Sequence, residues 1–175
     1  KPHHIEKYNH RAAKHLKGMK GDIYEAGHRV PFIVRWPHRI SQGSVAHGPQ
    51  SLANFYATVA ELLNTPSKAL DSYSLLGQLT DSDSLKEVSP IIHHSSLGHF
   101  AIRDGDWKMI EKRGSGGFTP PTNLPTPSGE RPERLFNLKD DPSENSNISY
   151  KFPKKLEQLK QQLDSIKNLN SISFK

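Results

Sequence analysis

Residues 18–40 read GMKGDIYEAGHRVPFIVRWPHRI. The second half of that stretch, 31–36, is a short apolar run stopped by Pro37. Its length and its β-branched and aromatic content predict a buried strand of the kind found in parallel sheets. Downstream, Ser51 precedes Leu52, Phe55, Tyr56, Val59, Leu62 and Leu63. Spacing by three and four places these six side chains on one face of a helix, with Ser51 as its N-cap. A strand, a loop and an amphipathic helix in that order predict the end of an α/β layer sandwich.

After Glu87 the period changes to two. Residues 99–103 and 106–110 flank Asp104-Gly105, a dipeptide suited to a tight two-residue hairpin turn. Such a turn sets Arg103 opposite Asp106, Ile102 opposite Trp107 and Phe100 opposite Met109. One face is then wholly apolar, and the other carries Arg103, Asp106 and Lys108. Residues 88–95 and 135–138 read as companion strands, with Pro90 marking a sheet edge or a strand entrance. An antiparallel sheet of three or four strands is expected. The stretch 113–133 holds four Gly and five Pro and is too broken for an element; connections of that length are functional or disordered. Pro153 stands where a first helical residue would, and Leu156, Leu159, Leu163, Ile166 and Leu169 mark the face of a helix that covers the sheet. The expected fold class is therefore α/β, in two parts, residues 1–80 and 81–175.

The 175 residues, 33% of them hydrophobic, suffice for a real core. No apolar run approaches the length of a membrane span, and the first 30 residues lack an apolar signal core, so no membrane partner is expected. With no cysteine, disulfide scaffolds, thiolate zinc sites and thiol catalysis are excluded. The formal charge is +6, from 24 Lys/Arg against 18 Asp/Glu. Residues 1–50 carry nine of the basic and three of the acidic residues, so the whole excess lies there, with seven of the ten histidines. Such a segment is either a solvated basic surface or one that meets phosphate, sulfate, nucleic acid or an acidic polysaccharide. Its cations are not interleaved with aromatics and no nucleic-acid signature appears, so nucleic acid is not the expected partner. Asn147-Ile148-Ser149 is a formal glycosylation sequon.

Few residues can carry chemistry. His93 and His94 are neighbours in an expected strand and point to opposite faces, so they cannot share a metal; one at most is functional, and His94 is the candidate substrate-binding residue. The run Gly114-Ser115-Gly116-Gly117 lacks the spacing of a phosphate loop. Lys20, set within Gly18-Met19-Lys20-Gly21, is different. Its ammonium sits on a backbone able to approach a ligand closely, and Glu25 and Arg29 are placed to fix the loop by an internal ion pair. This is the pattern of an anion clamp.

These same residues resemble the G-x-K-x-x-x-[YW]-E-G-G-x-R-x-P-x-[IV]-x-x-W-P segment of the arylsulfatase family of type I sulfatases. The resemblance continues through SLANFYATVAELLN, similar to the family's D-[IL]-x-x-T-[ILV]-x-x-[IL]-x-G helix. It extends to AIRDGDWKMI, similar to its R-x-G-x-[WY]-K-[LM] hairpin, and to RLFNLKDDPSENSNI, similar to its L-[YF]-[DN]-L-x-x-D-P-x-E-x-x-N-[LI] turn. Ala26 and Asn64 stand where the motifs have Gly, and Asn54 where Asp is usual. The resemblance implies the end of an alkaline-phosphatase-like α/β/α core in residues 1–80 and a small antiparallel sheet under a C-terminal helix in residues 81–175. It implies a sulfuric ester hydrolase that uses a formylglycine, made from Cys or Ser in [CS]-x-P-x-R, and Ca2+ held by Asp and Asn oxygens. Neither [CS]-x-P-x-R nor the family's S-D-N-G occurs here. On the match, the metal ligands lie outside this chain, which reads as an incomplete and inactive portion, and Lys20 is the one catalytic residue carried over, as a sulfate contact. Glu25, Arg29, Trp36, Arg103, Trp107, Lys108, Asp141 and Glu144 carry over as scaffold. The implied substrate is a sulfated small molecule or a sulfated glycan, in a secreted, periplasmic or lysosomal setting. The alternative is a non-catalytic sulfated-glycan-binding or pseudo-sulfatase module.

Overall fold

A computed structural model describes residues 7–10, 13–46, 48–69, 72–80 and 89–172 of the chain. Its helices are α1 (Glu25–His28), α2 (Asn54–Leu62), α3 (Leu76–Thr80) and α4 (Pro153–Ile172). Its strands are β1 (Ile91–His94), β2 (Phe100–Asp104), β3 (Trp107–Ile110) and β4 (Arg134–Asn137). By contacts the chain divides into residues 31–91 and a second unit made of 1–30 with 92–175. This cut runs differently from the boundary at 80/81, because the segment before Pro31 folds onto the sheet.

The four strands form one sheet in the order β1-β2-β3-β4. The expected strand from Val88 begins at Ile91, Val88 itself lying outside the described residues. The hairpin closes one residue later than expected: Ile102 pairs with Met109, Arg103 with Lys108 and Asp104 with Trp107. Gly105, at φ +59°, takes the first position of a two-residue loop, Gly105-Asp106, and Asp104 joins the ladder. Each partner shifts by two residues along the facing strand, so the alternation of faces is retained. Ile102, Met109 and Leu135 meet Leu156, Leu159 and Leu163 of α4, with Phe100 and Trp107 half-buried beside them. The Trp107 ring meets Phe152 edge-on at 5.1 Å.

The other face, which carries Arg103 and Lys108, is covered as well. Ala101, Ile110, Phe136 and Leu138 pack against Ile23 and Tyr24, and Lys108 is 0% exposed beneath that layer. A polar face survives burial only when its charges are matched, and Glu25 and Glu144 match Lys108 here. The turn after β4 delivers Glu144 in the left-handed region, at φ +53°. The Asp141 carboxylate accepts the Ser146 N–H at 2.8 Å to close that turn. Asn147 Oδ1 accepts the Leu135 N–H at 3.0 Å, standing in for a fifth strand at the edge of β4. The resembling D-P-x-E-x-x-N motif is thus a device for carrying a carboxylate under the sheet.

The unit 31–91 departs from the sequence reading in two ways. Residues 31–36 form no strand, and Ile33 is 91% exposed. A strand needs a neighbour for its N–H and C=O groups, and none is provided among the described residues. In α2 the apolar face expected inward is the exposed one, with Phe55 at 61%. The buried face is the small, polar one, Asn54, Ala57, Thr58 and Ala60. Its side chains satisfy the following segment: Asn54 Oδ1 accepts the Tyr73 N–H at 3.2 Å, and Thr58 Oγ1 the Leu75 N–H at 2.8 Å. Asn in place of Asp keeps that acceptor. Ser51 caps the turn before the helix, its Oγ accepting the Ala53 N–H at 3.2 Å, and the helical cap position is Ala53. Asn64, at φ +52°, ends α2 in a Schellman arrangement, with Thr65 N–H on Ala60 O at 2.9 Å.

Candidate functional site

Met19, Lys20, Gly21 and Asp22 form a β-turn closed by the Asp22 N–H on Met19 O at 2.9 Å. Gly21, at φ +90°, occupies the third position, which in a type II turn demands a positive φ. Lys20 is therefore the second residue, at the tip. The buried Asp22 carboxylate locks the turn from inside. It accepts the Met19 N–H at 2.8 Å, the Phe118 N–H at 2.7 Å, the Thr119 N–H at 3.1 Å and the Thr119 hydroxyl. Gly21 O accepts the Ser96 N–H at 2.9 Å, and the Ile23 N–H reaches Ser115 O at 2.8 Å. Two separate segments, at Ser96 and at 115–119, thus fix one exposed lysine, whose ammonium makes no hydrogen bond or ion pair among the described residues.

The stretch 113–133 is accordingly neither an element nor a uniform loop. Residues 114–117 are buried and clasp the turn, while 125–132 are exposed. Beside it a cavity of about 340 Å³ is lined by Lys17, Tyr24, Arg113 and Arg134. The Arg134 guanidinium is engaged there by the Tyr24 hydroxyl and by the Lys112 and Gly114 carbonyls.

Below the turn lies a buried ion cluster. Glu25 sits 3.0 Å from both Arg103 and Lys108, and Lys108 lies 2.9 Å from Glu144. Arg29 is exposed, so the ion pair expected between it and Glu25 is replaced by this longer-range one, which spacing in the chain does not reveal. Burial pushes the Glu25 carboxyl up, but Lys108 and Arg103 outweigh it and hold the group below its ordinary value. Glu144 is left above its ordinary value, because burial outweighs its share of Lys108 and Glu25 adds repulsion. Ala26 keeps a place in α1, and the position without room is Gly27, where a Cβ would meet Asp22 O at 2.1 Å.

The strand histidines separate as expected, but it is His93 that faces this cluster. Its Nε2–H points to Ile23 O at 3.4 Å, and its ring lies 4.2 Å from that of His28. His94 lies on the other side, its ring 5.7 Å from Phe100 and its Nδ1 on Ser95 O at 2.9 Å. Burial first, then Lys108, His28 and Arg103, push the His93 pKa down to about 2, with the Ile23 carbonyl opposing. A histidine neutral in the fold and chargeable when unfolded contributes stability above pH 6.5, lost as pH falls below it. Acidification from pH 6.5 to 5 should thus cost about 2 kcal/mol through this residue. Denaturant titrations at the two pH values should show that loss reduced in His93→Gln; equal losses in both proteins would contradict it.

Among the described residues no three His, Asp or Glu side chains are placed to hold a metal. The best-placed carboxylate, Asp22, is already saturated with N–H and O–H donors, and Glu25 and Glu144 are neutralised by Lys108 and Arg103. These residues do not fit a calcium site.

A sequence profile of the family described as Sulfatase matches residues 3–65. An N-acetylgalactosamine-6-O-sulfatase of Bacteroides thetaiotaomicron is 31% identical over 86% of this chain and 30% of its own length. Arylsulfatase K of Xenopus laevis is 26% identical over 93% of this chain and 30% of its own. A solved Bacteroides thetaiotaomicron structure, reported with the metabolism of multiple glycosaminoglycans, superposes with a TM-score of 0.77 at 30% identity. That match covers 94% of this chain and 34% of the other. The chain therefore spans about a third of the length of the proteins it matches.

Proposed function

This chain belongs to the sulfatase family, and from that premise we propose that the whole protein hydrolyses a sulfate ester of a sugar, with Lys20 as the catalytic residue this chain supplies. The observation that carries the reading is the locked turn: an exposed, unpaired ammonium on a backbone held by Asp22, Ser96 and Ser115. As the S–O bond of a sulfate ester breaks, charge grows on its oxygens. A cation already fixed beside them stabilises the transition state more than the ground state. Because the turn is held before substrate arrives, little reorganisation is needed. The family's nucleophile and Ca2+ would come from residues other than these, so no step through them follows from this chain.

The name of the Bacteroides thetaiotaomicron relative makes an N-acetylgalactosamine 6-sulfate the first substrate to try. The whole protein should release inorganic sulfate from its methyl glycoside, measured by ion chromatography. Binding without release would favour the glycan-binding module instead, and neither binding nor release would overturn the reading.

A further inference from the structure

We propose that Phe118 is a stacking platform for the sugar ring that carries the sulfate, a site that rests on the reading of Lys20 as the sulfate contact. Phe118 is 63% exposed, although its backbone is fixed from two sides. Its N–H is held by Asp22 Oδ1 at 2.7 Å, the carboxylate that also locks the Lys20 turn. Its ring lies over Gly21, so close that a Cβ at that position would meet Phe118 Cε2 at 2.8 Å. The ring and the ammonium thus leave from adjacent points of one rigid assembly. Lys20 and Gly21 are chain neighbours with Cα atoms about 3.8 Å apart, so the ring lies over the residue next to Lys20.

The chemistry of a pyranosyl sulfate matches this pair. The sulfate is anionic, while one face of the sugar ring presents mainly C–H groups and gains by covering an aromatic face. Ligand sites combine apolar walls with a few fixed polar groups in this way. Gly21 then has two roles, allowing the turn and leaving room for the ring that lies over it. The arrangement also gives part of the 113–133 stretch a function: it presents Phe118.

The test is binding of a 6-deoxy-6-sulfonate analogue of the methyl glycoside, whose C–S bond is not hydrolysed, with ethanesulfonate as a probe that lacks the ring. Calorimetry on the whole protein should show Phe118→Ala weakening the glycoside about tenfold and leaving ethanesulfonate unchanged. Phe118→Trp should bind the glycoside as wild type does, and both variants should keep the wild-type melting temperature, since the side chain is exposed. Equal glycoside affinity in wild type and Phe118→Ala, an equal loss for both probes, or no binding of the glycoside by wild type would overturn the proposal. Sulfate release by Phe118→Ala with unchanged glycoside affinity would sink the platform and leave the hydrolase reading standing.

Discussion

Lys20→Ala should lower turnover of the whole protein roughly 10²–10³-fold, the range for losing one preorganised donor from an oxyanion site. The side chain is exposed and unpaired, so its removal breaks no contact within the fold, and the melting temperature should not move. Lys20→Arg should recover little, because a planar fork does not replace a compact ammonium at the tip of a turn. The loss should fall on kcat in step with kcat/KM, since the contact strengthens as charge develops. Turnover within threefold of wild type, under 1 kcal/mol of barrier, would remove Lys20 from the site.

Lys108→Met should destabilise the fold by about 3–5 kcal/mol, the range for breaking a buried ion pair from one side. Methionine fills much of the space, but Glu144, fully buried, would keep only the Glu25 N–H at 2.6 Å. Its carboxyl already lies above its ordinary value, and losing the ammonium raises it further. A carboxyl with a raised folded pKa binds its proton more tightly folded than unfolded, so stability falls as pH rises through that range. The deficit of Lys108→Met should therefore be larger at pH 7.5 than at pH 5, and the double variant Lys108→Met/Glu144→Gln should recover part of it. Urea titrations at the two pH values check both statements. A deficit that does not change with pH would mean that the cost is one of packing alone.

Much of the sheet unit was legible because its information is local. The alternation in 100–110 identified which side chains share a face, and the spacing of Leu156, Leu159 and Leu163 identified what covers them. The loop position slipped by one because Gly105 fits either central place of a two-residue turn, and only the ladder decides. The second core was not legible. Nothing in the spacing of Arg103 and Lys108 says that Glu25, some eighty residues earlier, and Glu144, some forty later, would neutralise them. In 31–91 the apolar residues were correctly seen as apolar, but periodicity names a face without naming what lies against it. Phe32, Ile33, Phe55 and Tyr56 remain exposed. At the site, the glycines around Lys20 pointed to a loop able to approach a ligand closely. The Asp22 lock and the position of Phe118 depend on contacts across almost a hundred residues, and His93 and His94 differ only by a strand alternation whose phase needs the sheet.

If the locked Met19–Asp22 turn presents Lys20 to a sulfate, a bound sulfate mimic must touch the Lys20 ammonium. A crystal structure of the whole protein with the sulfonate analogue tests it most directly. Lys20 Nζ should lie within about 2.7–3.2 Å of a sulfonate oxygen, with the Asp22 bonds to Met19, Phe118 and Thr119 unchanged. A sulfonate held elsewhere, with the Lys20 ammonium still in solvent, would contradict it.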